Sequence, residues 1–278
     1  MTSGKIPLAG VVGSPIGHSL SPSLHAYWLR KYSIRGHYIP LDLAPDKFEP
    51  GLRALAMLGF RGVNVTLPYK ETALTLADII TDRAALIGAA NTLTFRRDGR
   101  IQADNTDGYG FIENIRQNKP NWRPKAGPAM VLGAGGASRA VISALLGEGV
   151  PEIRLANRTK SRAEMLCDHF GARVRVADWP VSTSDLDEIA FLVNTTSLGM
   201  TGKPGLKIDL SRLSRGAVVT DIVYSPLRTE LLKSAEVRGC AAIDGLGMLL
   251  HQAVPGFESW FRKKPTVGQG LRDAVLGA

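Results

Sequence analysis

Lys70 stands in "NVTLPYKETAL", just past the apolar, β-branched run Val63, Val65, Thr66 and Leu67. Such a run favours a strand, and Pro68 cannot extend a central ladder, so the lysine falls one or two residues beyond a sheet edge, where a helix should start. An amine held there could pass a proton to or from a substrate oxygen. Taken alone it reads as a solvated loop charge. His18 and His251 are the other acid–base candidates by residue type.

A second group concerns phosphate. Gly133, Ala134, Gly135, Gly136, Ala137 and Ser138 follow the strand-like Met130–Leu132 and open a helical pattern. Glycines in that context let the backbone approach a pyrophosphate, which then rests on the helix N-terminus. Ser138 replaces the usual third Gly or Ala and should slightly loosen the helix against the strand. At the end of the next strand, where an acid would select NAD, the chain has Asn157, Arg158, Thr159, Lys160, Ser161 and Arg162. Guanidinium suits a 2′-phosphate, so the cofactor expected is NADP. An exposed cationic loop is the alternative.

The remaining polar residues of interest also sit at expected strand ends: Ser19 and Ser21 in "GSPIGHSLSP", Thr66 before Lys70, Asn91 in "GAANTL" and Asp107 in "NTDGYG". In an open parallel sheet, ligands bind beyond the carboxyl ends of the strands, so these should gather at one rim. Singly, each has a plain structural use: Ser21 before Pro22 as an N-cap, Asn91 and Asp107 as turn formers.

The elements that must position them alternate strand and helix, which predicts an α/β fold. "IPLAGVVG", "HYIPLDL" and "GVNVTL" are strands, with helices over "SPSLHAYWLRKY" and around "FEPGLRALAMLG". The Pro-, Gly- and Asn-rich stretch 116–128 reads as a connection between units. Beyond it, strands in "AMVL", "IRLANRT" and "VRVAD" alternate with helices to give a βαβαβ half, and Ser161 with Glu164 suggests a capping box. "FLVNTT", "AVVTDIVY" and "AAID" are later strands. Apolar residues at 246, 249, 250, 253, 257 and 260 form a helical stripe that Pro255 should kink.

Composition narrows the classes. The 278 residues allow two domains, and 44% hydrophobic with 21% charged residues is an ordinary globular balance. The net charge of +9 is dispersed, with no Lys/Arg run longer than two, which suits anionic small molecules and argues against nucleic acid. The sequence has no signal-peptide pattern and no membrane-length apolar run. Cys167 and Cys240 form no CxxC pair, so a reducing cytoplasm is expected and no metal site is. Monomer and homodimer stay equally open.

Nine segments, in order, resemble the shikimate dehydrogenase family: "GSPIGHSLSP", "NVTLPYK", "GAANTL", "NTDGYG", "GAGGASR", "NRTKSR", "NTTSLGM", "DIVYSPL" and "DGLGMLLHQA". The resemblance covers nearly the whole chain. It implies an NADP-dependent reduction of 3-dehydroshikimate to shikimate, with Lys70 catalytic and Asp107 its partner. Ser19, Ser21 and Tyr224 would hold the substrate carboxylate, and Thr66, Lys70, Asn91, Asp107 and Gln252 its hydroxyls. NADP would contact Gly133–Ala137, Asn157–Arg162, Ile222 and Gly245, with Asp82 and Met248 near the nicotinamide. The resemblance also implies two domains with a cleft that opens and closes. Residues 1–106, completed by 245–278, would form a substrate domain with a mainly parallel sheet, and 107–244 a Rossmann-like NADP domain. Dual NAD/NADP use on quinate and shikimate is a second reading, a shikimate-binding sensor without catalysis a third, and a folate-processing dehydrogenase of similar architecture a fourth. The segment "TGKPGLKIDL" has no assigned contacts.

Overall fold

The structure is a computed structural model, described here for residues 6–277. The chain divides into two compact units: residues up to Thr106 together with those from Leu250 on, and Asp107–Leu249.

The first unit starts with β1 (Leu8–Gly13), α1 (Ser21–Lys31), β2 (His37–Asp42), α2 (Phe48–Met57), β3 (Phe60–Val65), α3 (Lys70–Thr75), β4 (Ile79–Ile80), α4 (Asp82–Ile87), β5 (Thr92–Phe95) and β6 (Ile101–Asp104). They form one six-stranded sheet in the order β2-β1-β3-β5-β6-β4. β2 is an edge, which is why Pro40 is tolerated within it. The sheet is mainly parallel, as expected, with one exception: five of its six strands run the same way, and β5 alone runs antiparallel to its neighbours β3 and β6. Its reversal comes from the tight turn at Asp98-Gly99, where Gly99 has φ +85°. β3 stops at Val65, earlier than the apolar run suggests, so Lys70 lies five residues beyond the strand and is the first residue of α3.

In the second unit, α5 (Asp107–Asn118) precedes β7 (Ala129–Leu132), α6 (Gly136–Gly147), β8 (Ile153–Ala156), α7 (Lys160–Phe170), β9 (Val174–Ala177), β10 (Phe191–Asn194), β11 (Val218–Asp221), α8 (Glu230–Arg238) and β12 (Ala241–Ile243). The sheet order is β12-β11-β10-β7-β8-β9, and every pairing is parallel. The near-continuous apolar strands fit a sheet buried on both faces. Phe111 and Ile115 of α5, Ile142 of α6 and Leu166 of α7 cover one face. Leu231 and Leu232 of α8 cover the other, beside irregular segments that contribute Leu186, Leu210 and Leu213. The "TGKPGLKIDL" stretch is part of that second layer, with Leu206 and Ile208 packed against the core. Stretch 116–128 is the end of α5 and its connection to β7, inside the second unit rather than the joint between units.

α9 (Leu246–Phe261) runs through Pro255 without interruption, and α10 (Gln269–Leu276) follows. The contact boundary falls within α9, at 249/250, rather than before it. Residues 246–249 stay with the second unit, where a Cβ on Gly247 would lie 1.8 Å from Asn114 Oδ1. Trp260 of the same helix donates its indole N–H to Leu93 O at 3.1 Å. Gly62 makes this possible, since a Cβ there would lie 2.1 Å from both atoms of that bond.

His25 is buried beside this helix. It stacks on Tyr38 with centroids 3.7 Å apart and touches Trp28, Phe257 and Trp260, and neither ring nitrogen has a hydrogen-bond partner. Burial lowers its pKa from 6.5 to about 3. The unfolded chain therefore binds more protons between those values, and stability falls as pH drops from about 6.5 toward 3. We expect a loss of about 2 kcal/mol from this residue near pH 5. Denaturant melts of wild type and His25→Phe between neutral pH and about pH 5 check it: the substitution should flatten the slope, and an unchanged slope would assign the acid sensitivity elsewhere.

Candidate active site

In the first unit, the rim at the carboxyl ends of β1 and β3 also receives the start of the antiparallel β5 and the end of β6. Ser19 and Ser21 follow β1, Thr66 follows β3, and Asn91 precedes β5, so these residues share that rim. The chain around Lys70 is held firmly. Tyr69, just before it, stacks on Phe48 at 4.3 Å and donates its hydroxyl to Leu43 O. Lys70 O accepts from Ala90 N at 2.8 Å, which ties the lysine to the residue preceding Asn91. Lys70 itself is half-buried.

Asn91 is a hub rather than a turn former. It is buried, and its Oδ1 accepts from Thr106 N (2.9 Å), Thr106 Oγ1 (3.1 Å) and Thr92 Oγ1 (2.9 Å). Those donors fix which end of the amide is oxygen, so Nδ2 points to Gln252 Oε1 at 3.3 Å. Two side chains expected at the site thus meet directly.

Below them runs a polar line that sequence reasoning missed. Asn64, next to the end of β3 and opposite Thr92, donates to Asn91 O (3.2 Å) and Thr92 Oγ1 (3.1 Å). Tyr38 donates to Asn64 Oδ1 at 2.7 Å, and the Ser21 hydroxyl reaches Tyr38 in turn. Burial pushes the Tyr38 phenol well above its ordinary range, so it stays a neutral donor. The signal was present in "GVNVTL": an asparagine inside an apolar strand must find buried partners.

Ser21 is not an N-cap. Leu20 holds that position and Ser21 is the first helical residue, while Ser19 Oγ accepts from Ser21 N at 3.3 Å. Pro22 in the first turn supplies the preformed φ. Asp82 is exposed at the start of α4, in the first unit. The other residues expected near cofactor belong to the second unit, as do Asp107, at the start of α5, and the exposed Tyr224. His18 is exposed, and His251 is half-buried in α9.

In the second unit, Gly133, Asn157 and Ile222 directly follow the parallel strands β7, β8 and β11, and the segment after β12 brings Gly245. Gly133 has φ +106°, and a Cβ on it would lie 2.8 Å from Thr196 Cγ2, so the turn requires glycine. Gly135 and Gly136 face open space, with nothing within 4 Å of where a Cβ would stand, and α6 has neither a side-chain cap nor an acidic residue in its first turn. Its leading N–H groups are thus offered to an anion. Ser138 does not loosen the helix: it is fully buried and donates to Gly133 O at 2.6 Å.

Asn157 links the glycine turn to the loop after β8. Its Oδ1 accepts from Ala134 N (3.0 Å) and its Nδ2 donates to Thr159 O (2.8 Å). The capping box expected at Ser161 and Glu164 is absent: α7 starts one residue earlier, after Thr159, without a side-chain cap. Its first turn instead carries Lys160, Ser161 and Arg162, all exposed. Cations at a helix N-terminus oppose the macrodipole, an arrangement that a bound anion relieves. Among the described residues, Arg158, Lys160 and Arg162 are outside every ion pair. Open backbone at the glycines and unneutralised cations at the next strand fit a dinucleotide with an additional phosphate.

Ile222 and Met248 both pack against the core cluster that Ala134 joins. Gly245 is pressed against Ile222, where a Cβ would lie 2.3 Å from Ile222 O. The turn leading to Tyr224 is fixed by Asp221, buried at the end of β11. Asp221 accepts from Asn194 Nδ2 (2.9 Å), Val223 N (3.0 Å) and Thr229 Oγ1 (2.8 Å). Burial pushes its carboxyl up, against the pull of those three donors.

Comparison with known proteins identifies the family. The family described as shikimate dehydrogenase substrate binding domain matches residues 11–93, and that described as shikimate / quinate 5-dehydrogenase matches 117–198. A shikimate dehydrogenase (NADP(+)) of Cereibacter sphaeroides is 60% identical over 272 residues, covering 98% of each chain. The solved shikimate 5-dehydrogenase of Thermus thermophilus, in complex with NADP(H) and shikimate, superposes with a TM-score of 0.86 at 34% identity, covering 98% of this chain and 99% of that one. Quinate dehydrogenase of Corynebacterium glutamicum, in complex with NAD, gives a TM-score of 0.90 at 31% identity, covering 98% and 99%. Motif order, glycine turn, cationic loop and whole-chain identity lead to one assignment: the chain belongs to the shikimate dehydrogenase family.

Proposed function

We infer that the protein is an NADP-dependent shikimate dehydrogenase, an oxidoreductase that reversibly reduces 3-dehydroshikimate to shikimate. The observation that carries this is the rim of the first unit, where Lys70, Thr66, Asn91 and Gln252 stand on a fully bonded polar base. When bound, NADPH supplies the hydride. Lys70 gives a proton to the C3 oxygen as charge develops there, and takes it back in oxidation. Asp107 orients the ammonium. Thr66, Asn91 and Gln252 hold ring hydroxyls, while Ser19, Ser21 and Tyr224 hold the carboxylate. The glycine turn Gly133–Ala137 and the loop Asn157–Arg162 hold the cofactor, with Ile222, Gly245, Met248 and Asp82 toward its nicotinamide end. On this reading the first unit is the substrate domain and the second the NADP domain. The free cysteines Cys167 and Cys240 support a reducing, cytoplasmic setting. Among the described residues, no helix is long and apolar enough to cross a membrane.

Steady-state assays with shikimate or quinate, each paired with NADP or NAD, test this. The expected result is highest kcat/KM for shikimate with NADP. Higher efficiency with quinate and NAD would transfer the protein to the quinate reading.

Substituting Ser19 gives a narrower test. Ser19→Ala removes one hydroxyl from the carboxylate and the acceptor for Ser21 N. We expect KM for shikimate to rise about ten-fold with KM for NADP unmoved, as befits one charge-assisted hydrogen bond. A parallel rise in both constants would mean that the loop supports the fold rather than the ligand.

A further inference from the structure

The opposite end of the first sheet carries a group of arginines that the dehydrogenase reaction does not use. Arg61 is the second residue of β3, Arg96 and Arg97 follow β5, and Arg262 follows α9; together they line a hollow of about 420 Å³. A second hollow of about 580 Å³ shares Arg61, Phe95, Arg96 and Arg97 with the first and adds Arg53, Met57 and Ile101. Strands β3 and β5 carry Thr66 and Asn91 at their other ends, so these hollows are separate from the rim bearing Lys70.

The charges do not cancel. Asp98 is engaged by Arg100 through two bonds, at 2.7 and 3.0 Å, and by Arg96 at 3.6 Å. Asp78 accepts from Ile101 N, and Arg53 pairs with Glu49. Among the described residues, Arg61, Arg97 and Arg262 have no ion-pair partner. Bringing like charges together from three separate elements is unfavourable unless an anion joins them. Arg262 adds a second observation. It has φ +59° directly after α9, a position where glycine is the usual residue, yet an arginine is held there, lining the hollow.

All the cations lining the two hollows are arginines. Guanidinium forks match the oxygens of phosphate and carboxylate in pairs, which an ammonium does not. The volumes suit a small molecule. The exposed Met57 and half-buried Phe95 give an apolar wall next to the charged one. We propose that this paired hollow is a second ligand site, which binds a multiply charged oxyanion of metabolite size.

The test is calorimetric titration of the full chain with inorganic pyrophosphate and, separately, citrate, at low salt and with saturating NADP present to fill the cofactor loop. One saturable event is expected, weakened at least about ten-fold in Arg97→Gln/Arg262→Gln and unchanged in Arg158→Gln. Arg61→Gln should weaken it independently, and kcat for shikimate should be unaffected in the Arg97/Arg262 variant. Tighter binding of pyrophosphate or of citrate names phosphate or carboxylate as the preferred group, and either supports the site. Binding lost in Arg158→Gln but retained in Arg97→Gln/Arg262→Gln would overturn the proposal, because the anion would then occupy the cofactor loop. Absence of saturable binding, or binding only of a long polyanion such as heparin, would also overturn it.

Discussion

Lys70→Met should lower kcat by about 10²–10⁴, the range for removing a positioned general acid, while leaving the affinity for NADP nearly unchanged. Methionine keeps much of the lysine's stem, and the backbone around it is held independently by Tyr69 and by the bond from Ala90 N to Lys70 O. The variant should therefore fold, which an NADP titration verifies before any rate is read. KM for shikimate should rise only modestly, since Asn91, Gln252 and Thr66 remain. A folded, cofactor-binding variant that keeps more than about a tenth of wild-type kcat would remove Lys70 from proton transfer. His18, on the same loop as Ser19, would be the next residue to replace.

The second large effect concerns cofactor choice. Arg158→Ala should reduce the preference for NADP over NAD by roughly ten- to a hundred-fold, because a charge-assisted contact contributes about 1.5–3 kcal/mol. The loss should appear in KM for NADP, with NAD almost unaffected. Asn157 anchors the loop to the glycine turn through Ala134 and Thr159, so removing the neighbouring side chain should not collapse the site. Equal losses for the two cofactors would mean that Arg158 supports the loop instead of touching the 2′-phosphate.

The parts of the candidate site whose local structure was legible in sequence were those set by neighbouring residues. A glycine turn between a strand and a helix is specified by neighbouring residues, and Gly133 has the positive φ that such a turn needs. The cationic loop was legible for the same reason: what matters is the lack of an acid at one strand end. Strand direction was harder. The Asp98-Gly99 pair carries a hairpin signal, and it accounts for β5 being the one strand of an otherwise parallel first sheet that runs the other way.

Helix starts were misassigned where a Ser met a charged or proline-containing turn. At Ser21, Pro22 fixes the first turn and Ser19 does the bonding. At Ser161, the helix starts before the serine, leaving cations in the first turn. Neither outcome can be decided from capping preferences alone, because each depends on what the turn faces. Long-range contacts were beyond reach altogether. Tyr38, Asn64 and Asn91 come together only when β2, β3 and β5 are laid in order, and His25 meets Trp260 only when the C-terminal helix returns to the first unit.

Hydride transfer to the substrate carbon is the step on which the assignment depends. NADPH deuterated at the transferred position of its nicotinamide, incubated with 3-dehydroshikimate and the enzyme, gives a product whose label can be located by NMR. The prediction is shikimate with deuterium at C3 and nowhere else, formed in step with cofactor oxidation. Cofactor oxidation without labelled shikimate, or no turnover by a folded protein that binds both ligands, would contradict it.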